Sequence, residues 1–272
     1  MTNTLSHKYT KAAGFLTRQF SEAGFNPICF VALGSGFIGA AGRWPIVGQI
    51  NTKEVPFFPV PQVKGHGTDL IMARPVINGK PRDVILATGR THLYEGFSAD
   101  DVCFPVKTMA ALGIRSAILT NASGGISAKA SPGDILIISD HINLTGHNVT
   151  SAAIRGLPVS FTDMHNAYDK NWRDTVKSQC GISEGIYAGM AGPTFETPAE
   201  ARMLGILGAD LAGMSTVQEV IAARTSDMRV LGLSFVTNRA GEASDHKDVL
   251  ALVEKSTSRI ISILEVGLGA IP

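Results

Sequence analysis

The sequence predicts an α/β fold: one domain over residues 1–272, with helices packed against a mixed central sheet. Three observations predict it. Short apolar runs of strand length recur along the chain, as at residues 28–33, 116–120 and 229–237. Segments with helical periodicity and glycine stops lie between them. Asn78-Gly79 separates two strand-like segments and signals a tight hairpin, so the sheet cannot be purely parallel.

Taken in order, residues 6–23 read as a helix with Phe15, Leu16 and Phe20 on one face and Gly24 as its stop. The strand at 28–33 ends in Gly34-Ser35-Gly36-Phe37-Ile38-Gly39, a GxGxxG pattern with Glu54 about 20 residues on, where a dinucleotide site wants an acid. The context argues against that use. No helix fits between Gly39 and Trp44-Pro45, and Pro56, Pro59 and Pro61 do not suit a central parallel strand. What remains is a Gly-Ser-Gly turn suited to an anion. Residues 69–77 and 82–88 read as the strands of the hairpin, and 102–112 as a helix closed by Gly113. The strand at 116–120 leads into Asn121-Ala122-Ser123-Gly124-Gly125, where small residues admit a ligand close to the backbone.

Residues 133–140 form the next expected strand, 148–161 a polar surface loop, 168–180 a helix and 184–190 a strand. Thr197-Pro198-Ala199-Glu200 spells a capping box with proline at the first helical position; that helix ends at Gly208. A short strand at 211–214 precedes Ser215-Thr216-Val217-Gln218-Glu219, a second capping pattern. Ser215 is there either the cap itself or a hydroxyl where a helix start meets an anion. A strand at 229–237 and a helix at 248–266 close the chain.

Composition narrows the function. A formal net charge of +1 offers no basic stripe for nucleic acid and no acidic arm. Residues 1–8 lack an apolar signal core, and no run is long enough to span a bilayer. Cys29, Cys103 and Cys180 are odd in number and widely spaced, which suits reduced thiols in a cytoplasmic protein. The 7 histidines include no HExxH pattern and no Cys/His cluster, so metal catalysis is not expected. Chemistry is instead concentrated in Gly89-Arg90-Thr91-His92-Leu93-Tyr94-Glu95-Gly96, directly after an apolar run. Arg90 presents a planar fork of donors, and His92 adds another on the same side of an extended backbone. Glu95 either orients His92 or pairs at the surface.

These pieces together resemble the trimeric purine nucleoside phosphorylases. The matching segments are Leu33-Gly34-Ser35-Gly36, Gly65-His66, the Gly89–Gly96 run, Thr120-Asn121-Ala122 with Gly124-Gly125, and Asp140-His141-Ile142-Asn143. They continue with Ala191-Gly192-Pro193, Phe195-Glu196-Thr197, Gly208-Ala209-Asp210, Gly213-Met214-Ser215-Thr216-Val217 with Glu219-Val220, and Thr237-Asn238, in the family's order. The resemblance implies a three-layer α/β/α fold with a twisted mixed sheet, a homotrimer, and cleavage of 6-oxopurine nucleosides such as inosine and guanosine by phosphate. Phosphate is a co-substrate, and neither cofactor nor metal is implied.

Carried over residue by residue, Ser35, His66, Arg90, His92, the backbone N–H of Ala122 and Ser215 hold phosphate. Tyr94 and Met214 line the sugar, Phe195 packs on the base, Glu196 and Asn238 bond its edge, and His246 meets the 5′-hydroxyl. Catalysis falls to His92, Glu196 and Asn238.

Two departures stand out. The segment from Asn238 to His246 is shorter than the family's usual one, which puts a reduced lid over the base and the reach of His246 in question. Residues 148–161 lack the Asn-Asp-Arg-Phe run that supplies a phenylalanine to the neighbouring subunit; Leu157 and Phe161 are the candidates to replace it. Two other functions remain: a 5′-methylthioadenosine phosphorylase, against which Asn238 argues, and a dinucleotide-binding oxidoreductase resting on the glycine pattern alone.

Overall fold

The computed structural model describes residues 3–34, 37–40, 42–62, 67–149, 161–242 and 246–271; for residues 3–6, 38, 246–251, 253 and 254 only the backbone is described. The elements run α1 (Asn3–Glu22), β1 (Cys29–Ala32), β2 (Ile46–Asn51), β3 (Asp69–Ala73), β4 (Val76–Ile77), β5 (Lys80–Pro81), β6 (Val84–Ala87), α2 (Ala99–Val102), α3 (Phe104–Ala111) and β7 (Ser116–Gly125). They continue with β8 (Ile135–Asn143), α4 (Lys170–Cys180), β9 (Glu184–Gly189), α5 (Pro198–Ile206), β10 (Leu211–Gly213), α6 (Val217–Arg224), β11 (Arg229–Arg239) and α7 (His246–Gly269).

The main sheet has the order β10-β9-β8-β11-β7-β1-β6-β3-β2. Its centre, β11-β7-β1-β6, is parallel. β3 and β2 add antiparallel strands at one side, and β8 is antiparallel to β11 at the other. β10 pairs with β9 and also, antiparallel, with Gly124 and Gly125 at the far end of β7. That second pairing bends β7, β11, β8, β9 and β10 into a ring, so the loop after β10 lies beside the ends of the parallel strands.

Alternation along the buried strands builds a core on each face. Phe30 and Ala32 of β1, with Ala117 and Leu119 of β7, pack under Leu16, Phe104, Met109 and Val220 of α1, α3 and α6. Cys29 and Val31 of β1, with Ile118 of β7, face Trp172 and Val176 of α4 and Ile263, Leu264 and Leu268 of α7. The strands are therefore apolar on both faces, which is why they read as continuous apolar runs.

The structure refines several boundaries. The Asn78-Gly79 turn forms, with Asn78 at φ 51° and Gly79 at φ 74°, but only β4 and β5 flank it directly. The longer strands β3 and β6 pair behind it. The helix expected at 102–112 forms as α3, with Pro105 admitted in its first turn, and the short α2 that precedes it was not expected. β2 was not expected. It is a sheet edge with little apolar alternation, and its pairing with β3 makes it a strand. After the Gly34 turn only a short 3₁₀ segment, Ile38–Ala40, follows. Among the described residues no α-helix follows that turn of the kind a dinucleotide-binding loop requires.

Candidate active site

The parallel strands β1, β6, β7 and β11 all deliver their C-terminal ends to one side of the sheet. That is the side where open α/β sheets hold ligands. Arg90 follows β6 by three residues and is 5% exposed. Its Nη1 donates to the Thr120 carbonyl of β7 at 2.5 Å and to Ser215 Oγ at 3.4 Å, while Nη2 lies 3.2 Å from Glu219 Oε2 of α6. The strand ends meet closely because residue 34 is glycine. A Cβ there would sit 2.5 Å from the Thr120 carbonyl oxygen and 3.0 Å from Arg90 Nη1.

The pairing of β7 with β1 ends at Leu119. Beyond it, the β7 edge on the β1 side opens toward Arg90. Strand amides alternate between edges with period two, so the N–H of Ala122 lies on the same edge as the Thr120 carbonyl that Arg90 reaches. Asn121 points the other way, into a buried chain. Its Nδ2 donates to Thr216 Oγ1 at 2.8 Å, and its Oδ1 accepts from Ser234 Oγ at 2.6 Å.

His92 is buried, and its Nδ1 lies 2.9 Å from Glu95 Oε1. The same oxygen accepts the His92 backbone N–H at 2.8 Å, and Glu95 Oε2 accepts the N–H of Gln62 at 2.7 Å. Of the two roles open to Glu95, orienting His92 is the one the geometry supports. A carboxylate at Nδ1 places the proton there and fixes the orientation of the ring. The imidazole also stacks on Tyr94, with centroids 4.6 Å apart and planes at 14°. Burial raises the Tyr94 phenol above its ordinary pKa, so it remains a neutral donor.

Tyr94 and Met214, expected at the sugar, converge on Gly192. A Cβ on Gly192, whose φ is 69°, would lie 2.5 Å from Met214 Sδ and 2.9 Å from Tyr94 Cδ1. The chain then runs through Phe195, 74% exposed, and half-buried Glu196, whose carboxyl burial pushes above the usual range. Thr197 ends this loop by capping α5 as expected: its hydroxyl accepts the Glu200 N–H at 3.2 Å, and Glu200 accepts the Thr197 N–H at 2.8 Å.

Ser215 is not the cap of α6; Thr216 is. The Ser215 carbonyl accepts the N–H of Val217 at 2.8 Å, and Thr216 between them has φ 72° and ψ −46°. That is a γ-turn of the rare, strained hand, at a buried β-branched residue. The turn presents the Ser215 hydroxyl to Arg90, with the Thr216 hydroxyl 3.2 Å from it. The sequence pattern Ser-x-x-x-Glu hid this, because Glu219 closes a capping box with Thr216 instead.

Asn238 follows an irregularity in β11: Val236 pairs with Ser123 and Asn238 with Gly124, leaving Thr237 as the extra residue. Such a bulge re-aims the next side chain. Thr237 Oγ1 donates to Asn238 Oδ1 at 2.8 Å, and Asn238 Nδ2 donates to the Arg239 carbonyl at 3.0 Å. The short segment that follows doubles back. Ala240 N–H bonds the Gly125 carbonyl at 3.0 Å, and Gly241 packs on Pro198 and Ala201 at the start of α5. This brings the Asn238 and Glu196 loops together.

Ser35, His66 and Leu157 lie outside the described residues. The neighbours Gly34, Gln62 and Gly67 are bonded to Thr120, Glu95 and Thr88, around the Arg90–His92 loop. His246 begins α7, and nothing is described of its side chain. Sequence reasoning left the role of Glu95 open between orienting His92 and pairing at the surface, and missed Glu219, Asn121 and Tyr187, whose hydroxyl accepts the Ser215 N–H at 3.4 Å. Their signal was present only as buried-side polar residues in otherwise apolar elements. Among the described residues no His, Cys, Asp and Glu gather to hold a metal, and no helix is long and apolar enough to cross a membrane.

Comparison with known proteins places this geometry. Residues 31–266 match the family model for the phosphorylase superfamily. The chain is similar to purine nucleoside phosphorylase 1 of Geobacillus stearothermophilus, 40% identical over 255 residues and 90% of each chain. It is 42% identical over 243 residues to the purine nucleoside phosphorylase of Mycobacterium tuberculosis, covering 86% of each. Among solved structures it resembles isoform 2 of the Schistosoma mansoni enzyme in complex with cytosine and ribose-1-phosphate, with a TM-score of 0.82, 30% identity and 98% and 97% of the two chains covered. The Schistosoma mansoni enzyme in complex with inosine matches at a TM-score of 0.81, with the same identity and coverage.

Proposed function

The chain belongs to the purine nucleoside phosphorylase family, and from that premise we propose that it cleaves 6-oxopurine nucleosides with inorganic phosphate. The products are the free base and ribose or deoxyribose 1-phosphate. The single observation that carries the reading is the junction of Arg90, Ser215 and the Ala122 edge of β7, three anion donors from three different strand ends. His92, oriented by Glu95, adds a fourth beside them. The relatives' names and the inosine bound in a solved relative support the substrate class.

In this reading the donors fix phosphate against C1′ of the sugar. As the C1′–N9 bond lengthens, positive charge grows on the sugar and the electron pair moves into the purine. The dianion stabilises the first charge and then forms the new C1′–O bond. One arginine with neutral donors holds phosphate without cancelling the charge it attacks with. Glu196 accepts from N1–H of the base, and Asn238 donates to the O6/N7 edge, where the leaving electrons collect. Tyr94 and Met214 line the sugar, and Phe195 covers the base. Ser35 and His66 complete the phosphate pocket, and His246 serves the 5′-hydroxyl. No side-chain nucleophile is needed, and phosphate is a co-substrate.

We read residues 1–272 as one catalytic domain, which the match over residues 31–266, from β1 into α7, supports. We also propose a homotrimer in the cytoplasm. Phe161, 96% exposed at the end of the 150–160 segment, is available to a neighbouring subunit's site. The test is the ultraviolet absorbance of inosine with and without phosphate. Loss of inosine only with phosphate is the expected result. Turnover of 5′-methylthioadenosine without turnover of inosine would move the assignment to that substrate, and nicotinamide turnover would move it out of the class.

A further inference from the structure

Glu219 takes no part in the chemistry above, yet it is 3% exposed in a helix whose other buried residues, Gln218 apart, are apolar. A buried carboxylate needs a reason. Its Oε2 has two partners. It accepts the Thr216 N–H at 3.2 Å, and it lies 3.2 Å from Arg90 Nη2. Those partners belong to segments remote in the chain, since Arg90 and Ser215 are 125 residues apart.

We infer that Glu219 is the positioning residue of the phosphate pocket, one carboxylate oxygen locking the Arg90 guanidinium in register with the strained turn that presents Ser215. The turn needs such a lock. A threonine at φ 72° and ψ −46° does not hold that shape unaided, and its surroundings must over-determine it. Asn121 Nδ2 bonds the Thr216 hydroxyl from the β7 side, and Glu219 bonds its N–H from the α6 side. Tyr187 reaches the Ser215 N–H at 3.4 Å, and Gly213 packs directly on the Tyr187 hydroxyl. Glu219 touches both the turn and the arginine. Arg90 in turn is clamped from the other side by the Thr120 carbonyl at 2.5 Å. The two donors, 3.4 Å apart, therefore share a single anchor.

The inference rests on the phosphorolysis reading, and it makes a claim about geometry that differs from charge balance. Glu219→Gln removes the charge but keeps an oxygen of the same reach, accepting the Thr216 N–H and lying against Arg90 Nη2. Glu219→Asp keeps the charge and withdraws the oxygen by one methylene. If Glu219 merely neutralised Arg90, the aspartate variant would be the milder one. Positioning predicts the reverse order.

The measurements are KM for phosphate and for inosine, kcat, and calorimetric titration of inorganic phosphate into nucleoside-free enzyme, with circular dichroism and Tm as controls for folding. For Gln, phosphate KM is expected within about threefold of wild type; for Asp it should rise at least about tenfold, with inosine KM within about twofold in both. The same order should appear in the phosphate Kd. Aspartate equal to or better than glutamine would overturn the inference, as would an inosine KM that moves in step with the phosphate KM. A wild type that binds phosphate but does not consume inosine would refute the substrate reading instead, and the calorimetric order would still judge Glu219.

Discussion

Asn238→Asp tests the base edge. Asn238 sits after the β11 bulge, with Oδ1 accepting from Thr237 Oγ1 at 2.8 Å. That bond points the amide oxygen at Thr237 and leaves the NH₂ side to the base. Aspartate keeps the acceptor for Thr237 at nearly the same volume and removes the donor. A 6-oxopurine presents acceptors at O6 and N7 and so loses its partner; adenine presents a donor at N6 and gains one. A buried hydrogen bond lost on one substrate and gained on the other is worth about 2–3 kcal/mol, a change on the order of a hundredfold in the ratio of efficiencies. The substitution also breaks the 3.0 Å bond from Nδ2 to the Arg239 carbonyl, at a cost of about 1 kcal/mol in stability. That cost falls on both substrates and cancels in the ratio. The assay is kcat/KM for inosine and adenosine, in wild type and variant, under saturating phosphate. Inosine efficiency should fall and adenosine efficiency rise. An unmoved ratio would mean that Asn238 does not read the base, and that the short segment folded onto α5 has rebuilt that wall of the pocket.

Arg90→Ala should lose about 3 kcal/mol of transition-state stabilisation, on the order of a hundredfold in kcat/KM for phosphate. It also strands Glu219 as a buried charge, which is worth about 3–5 kcal/mol of stability, so Tm should fall as well; unchanged phosphate kinetics would remove Arg90 from the site. Glu196 must be ionised to accept from N1–H, and its burial raises its pKa. The proton therefore returns at a higher pH than for an exposed glutamate. The kcat/KM for inosine should fall on acidification through a midpoint above that of an exposed glutamate, and Glu196→Gln should flatten that limb and lower the plateau; a limb that survives in the variant belongs to another group. Gly192→Ala forces a side chain into φ 69° and against Met214 and Tyr94. Nucleoside KM should rise about tenfold or more while phosphate affinity holds, and equal effects on both substrates would place Tyr94 and Met214 away from the sugar. Light scattering should give three times the 28.7 kDa chain mass, and a stable, fully active monomer would refute the trimer.

How far the fold was legible follows from where each element is specified. β1, β6, β7 and β11 carry their information locally, because strands buried on both faces must be apolar throughout. The α5 start was legible from Thr197-Pro198 and Glu200, since a capping box is a contact within four residues. β2 was not. Its residues are mostly half-exposed, and what makes it a strand is the edge of β3, a neighbour remote in sequence. The ring closed by β10 on Gly124 and Gly125 was equally hidden, because it depends on a register between strands far apart in the chain.

The site divides along the same line. Arg90, His92, Tyr94 and Glu95 announce themselves because one short loop carries them all, and a dense mix of charge and aromatic groups after an apolar run has few structural uses. Ser215 was only half legible. Its capping pattern is real, but the cap is Thr216, and the choice between them turns on a γ-turn that no spacing rule encodes. The turn is stable because Asn121 and Glu219, one from β7 and one from α6, hold it from both sides. Neither residue looks functional in isolation: an asparagine after an apolar run and a glutamate in the first turn of a helix are ordinary. Their meaning appears only once the sheet puts Thr120, Arg90 and Ser215 within one another's reach. Residues that touch the ligand were therefore visible from their chemistry. Residues that hold those in place were not, because they are chosen by burial and geometry at contacts remote in the sequence.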